Sequence, residues 1–185
     1  AVFIPDDLRG EKASAYFDKV LRYFRKELED HQENLHQCVC AEDFERVEQE
    51  NGCGAALTVE GGAVLAGELS RISYLAECGV KALTLTWNGP NELGDGAMSK
   101  NPQGLTRFGR LAVRELEKNR IAIDVSHASD PLFYGVAEIA EKPLLATHSN
   151  SRKICPHPRN LTDEQFGIIR DSGGLVGLNF FTSFL

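Results

Sequence analysis

No run of about 18 consecutive apolar residues occurs in the chain, so it carries no sequence expected to span a membrane as a helix. No signal-peptide pattern opens it, and no initiator Met. Ala1-Val2-Phe3-Ile4-Pro5 reads as the inside of a strand, and the apolar stretch Phe180 to Leu185 lacks a terminal tail, so both ends read as cut. The net charge of -7 gives no basic stripe for nucleic acid. Cysteines stand at 38, 40, 53, 78 and 155, an odd number with no C-x-x-C pair. The Cys38-Val39-Cys40 spacing is a weak metal signal, and free thiols in a reducing, cytoplasmic compartment are the expectation. A Gly-rich phosphate loop is missing too. Gly52-Cys53-Gly54 precedes a strand-like run and Gly61-Gly62 lacks the G-x-G-x-x-G spacing, which excludes a dinucleotide fingerprint. No linker or low-complexity stretch divides the 185 residues, so residues 1–185 read as a single domain.

What is present is an ordinary globular balance, 42% hydrophobic and 25% charged. Short apolar, β-branched runs recur at 2–4, 55–59, 82–86, 121–125, 144–147 and 175–180. They are near-continuous rather than alternating, the pattern of strands buried on both faces. Helical spacing lies between them. Phe17, Val20, Leu21, Phe24 and Leu28 predict an amphipathic helix over 11–33. Shorter helices are expected over 42–50, 65–77, 106–118, 130–141 and 162–172. Thr106 reads as an N-cap, Asp130-Pro131 as a cap followed by proline, and Thr162 with Gln165 as a capping box. Such βα alternation predicts a parallel sheet with crossover helices. Six strands fit either an open doubly wound sheet or part of a barrel. The expectation is an α/β fold of the (β/α)8 TIM type, incomplete here because the first and last strands are missing; a complete barrel needs about 250 residues.

In such folds the chemistry gathers where strands end. The second strand ends in Glu60-Gly61-Gly62, the third in Trp87-Asn88, the fourth in Ser126-His127 and the fifth in His148-Ser149-Asn150. A carboxylate closing an apolar strand must be paired, protonated or metal-bound. Each histidine alone reads as a satisfied core residue. Together, one carboxylate and two imidazoles ending three strands of one sheet form a zinc ligand set of the hydrolytic kind. Asp124, three residues before His127, either orients a ligand or is a structural carboxylate of the barrel. Arg159 follows His148 on the same loop, ahead of a helix, and suits two parallel bonds to a carboxylate.

These residues resemble the renal (membrane) dipeptidase family of zinc peptidases, its bacterial branch most closely. The matching stretches are Val59 to Gly62, Leu83 to Asn88, Gly104 to Gly109, Ile123 to His127, Thr147 to Arg152 and His157 to Asp163. The resemblance is dense from about residue 55 to 180. It implies a (β/α)8 barrel with two zinc ions, Glu60 bridging them and His127 and His148 completing the second ion's set. It also implies a metal-bound hydroxide that attacks the peptide bond of a dipeptide, with a D-residue tolerated at its C-terminal position. Arg159 would hold the substrate carboxylate.

Three departures stand out. The family's first-strand His-x-Asp pair is absent, as is an acidic residue on the last strand, so at most one zinc site is well formed in this chain. The third departure is Trp87, where many members have a histidine that steadies the developing oxyanion. An indole donates one hydrogen bond and is never cationic, so Trp87 is expected to reshape substrate binding. The alternatives are a related metal-dependent amide hydrolase of the same fold, or a non-catalytic binding domain. The 185 residues alone are expected to be inactive. Two exposed sheet edges would favour pairing with another chain, a homodimer among the outcomes.

Overall fold

The computed structural model describes residues 1–185. The chain opens with β1 (Val2–Phe3), α1 (Glu11–Asp30), β2 (Leu35–Gln37), α2 (Ala41–Gln49), β3 (Cys53–Ala55) and β4 (Leu57–Glu60). It continues through α3 (Ser70–Glu77), β5 (Val80–Thr84), α4 (Arg107–Lys118), β6 (Ala122–Asp124), α5 (Asp130–Ala137), β7 (Leu144–Ala146), α6 (Asp163–Asp171) and β8 (Leu175–Val176). No helix is long and apolar enough to cross a membrane.

Six strands form one sheet in the order β1-β4-β5-β6-β7-β8, and every neighbouring pair is parallel. The order never reverses. A doubly wound sheet must reverse at its switch point, so the sheet is an arc of a (β/α)8 barrel, with β1 and β8 at its two ends.

The core lies between this arc and its helices. Phe17 and Leu21 of α1, Ile72 and Leu75 of α3, and Ala112, Val113 and Leu116 of α4 pack with Val59, Leu83 and Ile123 of the strands. The strands are not buried alike on both faces. Their outer side chains are apolar, whereas Thr58, Glu60, Ala82, Thr84, Asp124, Thr147 and His148 line a cavity of about 250 Å³ on the inner side. The polar inner residues are interspersed among alanines and β-branched side chains, so the sequence hides the alternation.

Four local details differ from the sequence reading. β2 and β3 pair with each other in a separate two-stranded parallel sheet that no apolar run announces. The helix expected over 65–77 is split: a 3-10 turn covers Gly62–Leu65, then Ala66 and Gly67 turn left-handed (φ 53° and 77°) before α3. Helix α5 is capped by Ser129, whose hydroxyl accepts the Leu132 N–H, rather than by Asp130. It also ends at Ala137 instead of 141. Thr106 and the Thr162–Gln165 capping box cap α4 and α6 as read.

Candidate metal centre

Glu60 ends β4 beside two glycines. A Cβ on Gly61 would sit 2.9 Å from the Ile4 carbonyl oxygen, and one on Gly62 would sit 2.4 Å from that of Leu85. Only glycine lets the chain turn here between its neighbouring strands. The Gly61 and Gly62 N–H groups donate to the Thr84 and Leu85 carbonyls, which anchors Glu60 at the mouth of the barrel.

His127 follows β6 in a left-handed backbone conformation, φ 67°. Such a conformation is costly for a residue with a Cβ and survives where its surroundings enforce it. Its carbonyl accepts the Ala97 N–H at 2.7 Å and the Thr86 hydroxyl at 3.4 Å. The bend swings the imidazole over the strand ends. His148 follows β7, and its N–H donates to the Ser126 hydroxyl at 3.2 Å.

These three elements bring together the side chains of Glu60, His127 and His148. Glu60 Oε1 lies 3.0 Å from His127 Nε2 and 3.4 Å from His148 Nε2, and the two Nε2 atoms are 2.9 Å apart. All three ligand atoms fall within 4.8 Å of one another. Carboxylate and imidazole are the right donors for a zinc-like ion. The hydrogen bonds behind the rings fit as well. His127 Nδ1 meets Asn88 Oδ1 at 3.1 Å, and His148 Nδ1 meets the Thr147 hydroxyl at 2.8 Å. An Nδ1 that donates leaves a lone pair on Nε2. Two nitrogen lone pairs and a carboxylate oxygen at these distances repel one another unless a proton or a cation lies between them. The residues present therefore fit a metal ion.

The electrostatics agree. Hydrogen bonds from protons on His127 Nε2 first, and on His148 Nε2 second, hold the Glu60 carboxyl well below the usual carboxylate range, so it is ionised at neutral pH with a proton standing where a cation would. Burial lowers the His127 pKa, against the pull of Glu60, and so favours the neutral imidazole. Neutral imidazole is the ligand form.

Arg159 is 4% exposed, and its Nε has no partner. Its Nη2 reaches the His148 carbonyl only at 3.5 Å, and its guanidinium lies 5.5 Å from the centre of the Phe184 ring. Burial pushes its pKa down to about 10, opposed by the charges of Asp124 and Glu60. A buried cation without a hydrogen-bonded anion is costly. Trp87 borders the cluster, its ring centre 6.3 Å from that of His127 and packed edge-on against Phe3 at 4.9 Å.

Three residues of this region support the cluster without having been assigned a role from the sequence. Asn88 touches His127, Thr147 touches His148, and the buried Asn150 ties the His148 loop to the Asn179 and Phe184 carbonyls. Asn88 and Asn150 stand at strand ends, which was their available signal; Thr147 had none, because a threonine in a β-branched run looks like strand filler.

Comparison with known proteins assigns the family. The membrane dipeptidase family (peptidase family M19) matches residues 1–185, and the chain belongs to it. An uncharacterized protein in the pqqA 5'region of Klebsiella pneumoniae is 37% identical over 157 residues, 82% of this chain and 58% of that protein. Dipeptidase AC, a solved metallo peptidase of family M19, superposes with a TM-score of 0.93 at 28% identity, covering 100% of this chain and 59% of its own. A Rhodobacter sphaeroides metallo peptidase, solved with a phosphinate mimic of the dipeptide L-Ala-D-Ala, superposes with a TM-score of 0.90 at 29% identity, covering 100% of this chain and 53% of its own. The chain spans about half the length of the curated relatives it matches, 58% and 52% of the first two.

Proposed function

We propose that this chain carries part of the active site of a zinc-dependent dipeptidase. The observation that carries the reading is the convergence of Glu60 Oε1, His127 Nε2 and His148 Nε2, with both Nδ1 atoms already engaged elsewhere. Glu60, His127 and His148 would hold the ion. The chemistry it supplies when bound is Lewis-acid polarisation of a carbonyl and an acidified water.

The remaining roles belong to the chain's own groups. Arg159, cationic and without an anion partner, anchors the C-terminal carboxylate of a dipeptide through a charge-assisted hydrogen bond. That anchor selects short peptides, because a longer chain would place its carboxylate elsewhere. Trp87 and Phe3 form an aromatic wall that bounds a substrate side chain and keeps water from one flank of the cluster. Peptides ending in a D-residue belong to the expected substrates, since the Rhodobacter sphaeroides neighbour was solved with a mimic of L-Ala-D-Ala. A cytoplasmic location fits the five free cysteines.

The test is hydrolysis of L-Ala-L-Ala and L-Ala-D-Ala by the full-length protein, with and without a zinc chelator, beside Glu60→Ala. Cleavage that disappears with chelator and in the variant supports the reading. A folded full-length protein that cleaves neither dipeptide, or cleaves them equally well without Glu60, overturns it.

A further inference from the structure

We infer that Asp124, acting through the Thr147 hydroxyl, is a positioning residue that fixes His148 in its Nδ1–H tautomer and so presents the Nε2 lone pair to the Glu60–His127 side. The inference rests on the metal-centre reading of those three side chains.

Asp124 is 2% exposed and accepts four hydrogen bonds. Its Oδ2 takes the hydroxyls of Thr84 at 2.6 Å and Thr147 at 2.7 Å. Its Oδ1 takes the N–H groups of Ser126 at 2.9 Å and Thr147 at 3.1 Å. An ionised carboxylate only accepts, so the single hydroxyl hydrogen of Thr147 is committed to Asp124. Thr147 Oγ1 then has only lone pairs left for its other neighbours. His148 Nδ1, 2.8 Å away, must be the donor in that contact. Ser126 is consistent with this direction. Its hydroxyl accepts the His148 N–H and lies 3.4 Å from Thr147 Oγ1, free to donate there.

The proton on Nδ1 forces the lone pair onto Nε2, because in a neutral imidazole one nitrogen donates and the other accepts. That lone pair is the one beside Glu60 Oε1 and His127 Nε2. A purely structural Asp124, stitching β5 to β6 and the β7 loop, accounts for its bonds to Thr84 and to the two backbone N–H groups. It does not account for a hydroxyl standing between the carboxylate and the ring. Carboxylate partners behind a ligand histidine fix its tautomer and raise its basicity; here the carboxylate acts one hydroxyl further back.

The experiment reads the tautomer directly. Long-range ¹H–¹⁵N correlation spectra of the metal-free, full-length protein are recorded for wild type, Thr147→Val and Thr147→Ser, and zinc affinity is measured by chelator competition. The expected wild-type spectrum shows His148 as Nδ1–H. Thr147→Val is expected to lose that preference and to bind zinc about 10- to 100-fold more weakly, while Thr147→Ser keeps both properties. A wild-type His148 protonated on Nε2 overturns the inference, as does a Thr147→Val variant with unchanged zinc affinity. The wild-type spectrum decides even where the valine variant fails to fold. An Nδ1–H His148 in a protein that binds no zinc supports the inference and removes the metal reading beneath it.

Discussion

Replacing Arg159 with methionine should stabilise the ligand-free protein while weakening its hold on substrate. The guanidinium is 4% exposed, and burial lowers its pKa from 12.5 to about 10. At about 1.4 kcal/mol per tenfold, that drop corresponds to a net electrostatic penalty on the order of 3 kcal/mol, desolvation less the attraction of Asp124 and Glu60. Contact with the Phe184 ring returns up to about 2 kcal/mol, which leaves a net penalty of about 1 kcal/mol. A methionine of similar length keeps the packing and removes the charge. The penalty has a definite pH range. A base whose folded pKa is lowered destabilises the fold fully below that pKa, and the effect fades only as pH rises toward the unfolded value, so at neutral pH it is complete. Urea unfolding at pH 7 should therefore show R159M about 1 kcal/mol more stable, with an unchanged m value. On the dipeptidase reading, the same variant in the full-length protein should raise KM for dipeptides about 10- to 100-fold, the loss of a charge-assisted hydrogen bond of about 1.5–3 kcal/mol. C-terminally amidated dipeptides, which lack the carboxylate, should be indifferent to the change. An R159M protein that is clearly less stable, or that loses amidated and free dipeptides alike, would contradict a buried Arg159 cation that awaits a carboxylate.

Two further outcomes follow from the geometry. Gly62→Ala places a Cβ 2.4 Å from the Leu85 carbonyl oxygen, so β4 and β5 must separate; the expected cost is about 1–3 kcal/mol in urea unfolding, and wild-type stability would contradict the close approach. Arg152 holds the Asp130 carboxyl below its ordinary 3.8 through bonds of 2.7 and 2.8 Å, with Gln165 adding another at 2.9 Å. Stability from a lowered carboxyl is present above its ordinary pKa and lost as pH falls through the folded value. The stability gap between wild type and R152M should therefore be widest at neutral pH and close below pH ~4, and a gap that stays constant down to pH 3 would count against the pair.

The barrel arc was legible because its strands are short apolar runs separated by capped, amphipathic helices. Val59, Leu83 and Ile123 are buried in the core, as apolar residues of these runs should be, although the runs did not show that the opposite face is polar. The two-stranded sheet was not legible. Leu-His-Gln and Cys-Gly-Ala carry no strand signal, and they pair because tertiary contacts bring Leu35 opposite Cys53. The break at Ala66–Gly67 was hidden because the apolar spacing continues across it, while the left-handed turn belongs to the backbone. At the site, Glu60, His127 and His148 were legible as polar residues closing apolar strands. Their support was not. The Asn88–His127 contact depends on the His127 bend, and the Asp124–Thr147 bond depends on how β6 and the β7 loop meet. Neither is a matter of local spacing.

The proposal that Glu60, His127 and His148 hold a metal ion together can be checked on the ion itself. Its most direct test is the zinc content of the full-length protein after dialysis, for wild type and for a His127→Ala/His148→Ala double variant with unchanged far-UV circular dichroism. Wild type is expected to retain zinc and the double variant to lose the ion these residues hold. A variant that retains as much zinc as wild type, or a wild type that retains none, would contradict it.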